Sequence, residues 1–525
     1  MNKPSILVLI LLILFLLPTN INAGNPVIKD RFSADPAALV YDGKVYLYVG
    51  RDQAGYPGQI DYFYVLKEWN VYSSSDMINW ELEGTLPRTE FDWARGDSAW
   101  AAQAIERDGK FYWYVTVLND DPDPEKNGYA IGVAVSDYPA VGFQDAIGGP
   151  LISSDMTDAP DFMDPNQTWD NIDPTVFIDE DGQAYLYWGN THLYYAKLKD
   201  NMIELDGKIH QITIENMPGT FTEAPYLHQY GDTYYLSFAM NFPEITAYAT
   251  SQSLEGPWEY QGILLDRMDD SETSHQAIIE FEGEWYILYH TGALPGGGNF
   301  NRSTSIEKLH HNEDGTIDKI IPTASGLAFD SYTIHSYGNN EHAVRHLSDA
   351  IRIGPFQESH YDYKWHIVPG LANNEDGYIS IQGENKPGYY LRHGNDFTSL
   401  QKHDGTEGFM DAATFKVVKG LANEEWVSFQ SYSNEEFYLF QHENNTMRIG
   451  KIESEDKREF ATFQIRDIEG QPFSLLTEES KVSKEGNVNY ILFIAISLLV
   501  TVSFAIIARK RIVKNKKVIE NQQVK

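Results

Sequence analysis

The sequence predicts an all-β protein: a five-bladed β-propeller followed by a β-trefoil. Two repeats and a composition carry that expectation. A hairpin recurs five times in the first part of the chain, with turn glycines Gly43, Gly109, Gly182, Gly231 and Gly283. Alternating aromatic and aliphatic residues follow each turn, as in Val45-Tyr46-Leu47-Tyr48 and Phe111-Tyr112-Trp113-Tyr114. Such runs around Asp-Gly or Glu-Gly turns are strand pairs, and five small antiparallel sheets in series are propeller blades. Later, Val368-Pro369-Gly370-Leu371-Ala372-Asn373 and Val418-Lys419-Gly420-Leu421-Ala422-Asn423 are near copies within a threefold β-rich repeat. Aromatic residues make up 13% of the chain, which suits strands.

Taken in order, residues 1–23 read as a secretory signal peptide: Lys3, then an apolar run from Ile6 to Leu17, then small Ala23. The propeller is expected over 24–326 and the trefoil over 328–468. A Glu-, Lys- and Ser-rich stretch, 469–489, reads as a stalk. Residues 490–508 carry no charge and are long enough to span a bilayer as a helix. Arg509, Lys510, Arg511, Lys514, Lys516 and Lys517 follow at once, which places the tail 509–525 in the cytoplasm. The expectation is a single-pass cell-surface protein with extracellular N-terminal domains. The formal charge of −36 disfavours nucleic acid and anionic lipid as partners, and the absence of cysteine excludes thiolate chemistry and Cys-zinc sites.

Within the first domain, Ser74 to Trp80 and Ser251 to Trp258 share a polar turn ahead of a tryptophan, with a weaker copy at Ser136 to Phe143. These add outer strands to the hairpins. Long Asp- and Pro-rich connections at Asn119–Lys126 and Pro150–Trp169 are expected to cap one face and shape a pocket. Counting back eight residues from a turn glycine gives Asp35, Ala101, Glu223 and His275; in the third copy the acid stands nine back, at Asp173. Equivalent positions in blades converge on the axis, so Asp35, Asp173, Glu223 and His275 should meet. Hydrolysis of a glycosidic bond needs a carboxylate to activate water and a protonated carboxyl for the leaving oxygen. A third carboxylate can raise the pKa of that acid.

On these motifs the first domain resembles glycoside hydrolase family 43, the five-bladed inverting glycosidases of plant cell-wall polysaccharides. The motifs are Ala34-Asp35-Pro36, Ile172-Asp173-Pro174 and Thr222-Glu223-Ala224-Pro225, with Ser274-His275-Gln276 and Tyr289-His290-Thr291-Gly292 leading to Arg302. The resemblance implies Asp35 as general base, Glu223 as general acid, and Asp173 as the residue that tunes and orients Glu223. It implies His275 and Arg302 in the sugar pocket, with Asp52 and Trp100 as further substrate-binding candidates. No cofactor is required. In some members the equivalent histidine helps to hold a central calcium through waters, so a structural calcium near His275 follows from the resemblance alone, and no metal ligand set is read from the sequence.

The second domain resembles the arabinofuranose-binding trefoil, carbohydrate-binding module family 42. Val344-Arg345-His346, Leu391-Arg392-His393 and Phe440-Gln441-His442 recur ahead of Trp365-His366-Ile367, Thr414-Phe415-Lys416-Val417 and Thr462-Phe463-Gln464-Ile465. The resemblance implies sugar contacts from His346 with Asp362, and from His393 with Asp411 and Tyr390. The third repeat has Glu459 in place of the Asp, leaving His442. The expected function is an α-L-arabinofuranosidase acting on arabinoxylan or arabinan. A β-xylosidase or endo-arabinanase of the same family, and a non-catalytic surface carbohydrate-binding protein, stay open as alternatives.

Overall fold

The computed structural model describes residues 24–475 apart from 54–62, 165–166, 329–330, 395 and 474. Residues 1–23 and 476–525, on which the signal peptide, most of the stalk, the membrane span and the basic tail were expected, lie outside the described residues. Among the described residues no helix is long and apolar enough to cross a membrane.

Five sheets, antiparallel except for the short parallel edge strand β14, make the propeller. The first contains β1 (Ala34–Tyr41), β2 (Lys44–Asp52), β3 (Leu66–Ser74) and β4 (Glu81–Pro87) in that order. In the second, β5 (Ala94–Arg95) joins β6 (Ala102–Arg107), β7 (Lys110–Asn119), β8 (Gly128–Ser136) and β9 (Gln144–Asp145). The third has β10 (Thr175–Ile178), β11 (Ala184–Trp188), β12 (Leu193–Leu198) and β13 (His210–Ile212). In the fourth, β14 (Ile214–Glu215) lies outside β15 (Phe221–Tyr230), β16 (Thr233–Met240), β17 (Ile245–Ser251) and β18 (Trp258–Leu265). The fifth has three strands, β19 (Gln276–Phe281), β20 (Glu284–Thr291) and β21 (Ser303–Leu309). The turns behave as their chemistry requires: Asp42-Gly43, Asp108-Gly109 and Glu282-Gly283 all have positive φ, the geometry that matches hairpin twist.

Most aromatics pack between blades. Trp69 and Trp113 are buried between the first two blades, and Tyr48 meets Trp113 edge-on at 4.9 Å. Trp188 and Trp258 do the same between the middle blades. Where the fifth blade lacks a fourth strand, the start of the chain lies alongside it. The Val27 amide donates to Thr304 O at 2.8 Å and that of Ser33 to Arg302 O at 2.8 Å. The Asn25 side chain donates to Ile306 O at 3.0 Å and to Glu307 Oε1 at 2.9 Å. The ring is thus closed by its own N-terminal segment.

Among the described residues the second domain has three sets of four strands, followed by one short further strand: β22 (Ser331–Ser336), β23 (His342–Leu347), β24 (Ala350–Pro355), β25 (Trp365–Pro369); β26 (Tyr378–Gly383), β27 (Tyr389–His393), β28 (Thr398–Lys402), β29 (Thr414–Lys419); β30 (Val427–Ser431), β31 (Tyr438–Gln441), β32 (Met447–Gly450), β33 (Phe463–Asp467). The first and last strands of each set close into a six-membered ring, β22-β25-β26-β29-β30-β33 and back to β22. The middle strands form three hairpins. The near-copied hexapeptides make the same bonds: Leu371 N to Ser380 Oγ and Leu421 N to Ser428 Oγ, both at 3.1 Å. Ala372 N and Ala422 N donate to Thr414 Oγ1 and Thr462 Oγ1, both at 3.0 Å. A Cβ at Gly370 or Gly420 would press on the carbonyl three residues on, which is why glycine recurs there. The expected stalk start at 469 is corrected: β34 (Pro472–Phe473) still pairs with β33, and Phe473 packs on Tyr332 with ring centroids 4.7 Å apart.

The two domains touch beside the propeller's open face. Lys402 Nζ donates to Gly297 O at 3.0 Å and lies 3.4 Å from Asp270 Oδ2, and Lys386 pairs with Asp269. Ala324 N donates to Glu384 O at 2.7 Å.

Candidate active site

Three loop-to-strand junctions aim the acids. The β1–β2 register slips between Ala34 and Ala37, and β15–β16 slips on both sides of Glu223. Such bulges redirect side chains. Asp35, Asp173 and Ala224, the residue after Glu223, all have positive φ of 49°, 59° and 55°. That strained region is rare for residues with a Cβ and here coincides with the carboxylates.

The three acids line one cavity of about 700 Å³, with Trp100, His275 and Arg302 also in its wall. Asp35 is buried. Its Oδ1 accepts from Arg302 Nη1 at 2.7 Å and stands 3.1 Å from His290 Nδ1. Burial alone would raise its pKa, but the Arg302 and His290 contacts hold it far below the usual carboxylate range. Asp35 is therefore an ionised carboxylate. Glu223 differs. Its surroundings desolvate it, and Asp35 adds repulsion, against a 2.6 Å hydrogen bond from Asn190 Nδ2; the carboxyl is pushed up to about 7. Asp173 is buried and shifted well above its ordinary value, by desolvation first and then by Glu223. Its Oδ2 accepts the Ala224 amide at 2.9 Å, while its own amide donates to Thr116 Oγ1 at 3.0 Å. Burial and Asp35 are thus prominent in raising Glu223, and the direct contact made by Asp173 is with the backbone that carries the acid.

Asp52 is corrected from a sugar contact to an anchor. Its side chain is fully buried away from the cavity wall and grips Arg302 through Nε at 2.8 Å, Nη2 at 3.0 Å and the backbone amide at 2.7 Å. Burial pushes the Asp52 carboxyl up, against the pull of Arg302. The guanidinium then lies over Tyr64, 4.8 Å from the ring centroid. Trp100 stacks on Tyr129 at 3.9 Å, making an aromatic wall with Tyr64 and Phe300. His275 Nδ1 is 3.8 Å from Asp173, and burial lowers its pKa to about 4, so the imidazole is neutral. Among the described residues no three His, Asp or Glu side chains are grouped to hold a metal ion. The described side chains around His275 do not form a direct calcium site. The connection Pro150–Trp169 does shape the pocket, through Asp164, Gln167 and Trp169; Asn119–Lys126 is not in its wall.

Residues absent from the sequence-based list complete the site: Asn190, Glu244, Tyr64, Tyr129, Phe300, and His290 beneath Asp35. His290 stood in a quoted motif. The others sit in loops or off the axial register, so the repeat gave no signal for them.

In the second domain, His346 is buried and its Nε2 meets Asn385 Oδ1 at 2.8 Å, while Asp362 pairs with Arg345. Asp362 is thus engaged by the residue that precedes His346 in β23. His393 Nε2 lies 3.0 Å from Ser431 Oγ and 3.1 Å from Ser433 Oγ. Asp411 is on α1 (Glu407–Ala413), and Tyr390 packs edge-on against His403 and Phe409. His442 Nδ1 meets Asn444 Oδ1 at 3.0 Å.

The family model for glycosyl hydrolases family 43 matches residues 23–317, and that for the alpha-L-arabinofuranosidase B domain matches 332–465. An arabinoxylan arabinofuranohydrolase of Bacillus subtilis is 31% identical over 357 residues, 59% of this chain and 66% of that protein. A xylosidase/arabinosidase of Bacteroides ovatus is 30% identical over 330 residues, 54% of this chain and 94% of that protein. A solved β-xylosidase/α-arabinofuranosidase from a compost metagenome, in complex with xylotriose, is 28% identical with a TM-score of 0.50, covering 57% of this chain and 97% of that one.

Proposed function

We propose that this chain, which belongs to glycosyl hydrolase family 43, is an inverting, exo-acting α-L-arabinofuranosidase that removes arabinose side chains from arabinoxylan or arabinan. The observation that carries the reading is the contrast between two carboxyls in one cavity. Asp35 is held ionised by Arg302, and Glu223 is held near pH 7. That is the division of labour between base and acid. Asp35 takes a proton from water as its oxygen attacks the anomeric carbon. Glu223 gives its proton to the departing oxygen. Asp173 fixes the acid's backbone, Arg302 and His275 meet the sugar, and Trp100 with Tyr129 gives an apolar wall for a ring face.

The second domain is read as a β-trefoil that holds arabinose-decorated polymer, through His346 and Asp362, through Tyr390, His393 and Asp411, and through His442. The closed strand ring, the three hairpins and the arabinofuranosidase B domain match support it. The proposal includes display at a cell surface, with residues 1–23 as a leader, 490–508 as a single span and 509–525 inside; the apolar runs and the basic cluster support it. A structural calcium at the axis would rest on waters around His275.

A β-xylosidase is the second reading, favoured by the names of the Bacteroides relative and of the xylotriose-bound structure. Initial rates on nitrophenyl α-L-arabinofuranoside and nitrophenyl β-D-xyloside separate the two. A preference for the xyloside overturns the first reading, and no hydrolysis of either returns the chain to a carbohydrate-binding role.

A further inference from the structure

Lys402 ends β28 in the second domain, but its ammonium reaches the first. Nζ donates to Gly297 O at 3.0 Å and lies 3.4 Å from Asp270 Oδ2, and the Asp270 side chain is only 10% exposed. In the other two hairpins the corresponding strands, β24 and β32, end on Pro355 and Gly450. The cation thus belongs to the repeat that meets the propeller rather than to the threefold pattern. Close packing surrounds it. A Cβ at Gly388 would stand 2.3 Å from Ala293 O, and Lys386 pairs with Asp269. The two loops that Lys402 joins, 266–275 and 292–302, both run into the cavity wall. The first brings Glu272, Thr273 and His275 there, and the second brings Phe300 and Arg302. Nearer the cavity the loops are braced by Asn299, whose Oδ1 accepts the Glu272 amide at 3.0 Å and whose Nδ2 donates to Glu272 Oε2 at 2.9 Å. They also touch at Gly292, where a Cβ would stand 2.6 Å from Asp270 O. Arg302 is pinned separately by Asp52. Asp35, Asp173 and Glu223 stand on or just before β1, β10 and β15, on neither loop.

We propose that Lys402 is a positioning residue for the sugar pocket, resting on the hydrolase reading above: one ammonium from the second domain ties together the two loops that build one side of the cavity. The wall residues that depend on the tie are Glu272, Thr273 and Phe300. Held in place before the sugar arrives, they need no ordering when it binds. Without Lys402, Asp270 keeps its acidic neighbours Asp269 and Glu272 but loses its cation, and Gly297 O loses its donor. The loops then rest on the Asn299 brace alone among these side-chain ties. An ion pair near the surface adds little to global stability, so the effect belongs in substrate binding rather than in the denaturation midpoint.

The test is kcat, KM and the pH profile for wild type, Lys402→Met, Lys402→Arg and Asp270→Asn, on whichever nitrophenyl glycoside, arabinofuranoside or xyloside, wild type cleaves. A monosaccharide glycoside is too small to bridge to the second domain's sugar pockets, so its KM reports the cavity alone. Lys402→Met should raise KM roughly tenfold, keep kcat within about twofold and leave both pH limbs in place. Lys402→Arg keeps a cation with several donors and should return KM to within about threefold of wild type. Asp270→Asn should raise KM about threefold, since Gly297 O still holds the ammonium. An unchanged KM in Lys402→Met overturns the proposal, and if that variant does not fold, an unchanged KM in Asp270→Asn does so. A fall in kcat or in the denaturation midpoint with KM unchanged makes Lys402 a structural residue and overturns it too. A wild type inactive on both glycosides overturns the hydrolase reading and the Lys402 role with it; an active wild type whose variants keep its KM overturns the Lys402 role alone.

Discussion

Asp173 Oδ2 accepts the backbone amide of Ala224 at 2.9 Å, and Ala224 is the residue that follows Glu223. The third acid thus holds the frame on which the general acid is mounted. Asp173→Asn keeps a carbonyl acceptor but can present its amide nitrogen instead. It should lower kcat by roughly 10²-fold through misplacement of Glu223. The basic limb should move little, because burial of Glu223 is unchanged. A full pH profile on one aryl arabinofuranoside checks both parts.

The limb itself follows from Glu223. With its pKa raised to about 7, the acid is protonated below that pH and loses its proton above it. Wild-type kcat/KM should fall as pH rises through about 7, and Glu223→Gln should remove that limb along with most activity on poor leaving groups.

Asp35→Asn should abolish hydrolysis on good and poor leaving groups alike, since water stays unactivated in both. The first product released by wild type should carry the inverted anomeric configuration, read by proton NMR before mutarotation. A retained anomer removes Asp35 from the base role.

Arg302 is nearly buried, held by Asp35 and Asp52 and lying over Tyr64. Arg302→Met leaves two buried carboxylates without their cation. The expected cost is about 3–5 kcal/mol, visible as a lower denaturation midpoint, and it comes with loss of activity. Raised pH should worsen it, because Asp35 and Asp52 then lose the protons that would otherwise neutralise them in the absence of Arg302.

Glu307 gives a stability test away from the chemistry. Burial raises its carboxyl to about 8, against bonds from Thr323 and Tyr289. The unfolded group titrates near 4.5. The folded state therefore binds the extra proton between those values, and stability falls as pH rises across that window. Glu307→Gln should flatten the decline in Tm between pH 5 and 8. It should not touch the rate profile.

In an inactive Glu223→Gln background, arabinoxylan in a native gel should retard the protein. His393→Ala with Asp411→Ala should weaken the retardation. No retardation of the parent protein would make the second domain a spacer.

The blades were legible because their signal is local. Asp-Gly turns and period-two strands are written within some twenty residues, and a repeat multiplies them. Asp35, Asp173 and Glu223 were legible for the same reason, each standing eight or nine residues before a hairpin's turn glycine. The sequence by itself determined the order of the sheets, the threefold repeat and the candidate acids. Only the tertiary structure decided what each acid is. Asp35 is ionised because Arg302, 267 residues away, reaches it, and Asp52 is spent on the same cation 250 residues away. Glu223 is protonatable because burial desolvates it and Asp35 repels its charge. Glu244 was invisible, since nothing in Phe242-Pro243-Glu244 repeats and only the fold brings it into the cavity wall. Charge state depends on burial and on partners brought in from distant loops, and neither is a property of spacing.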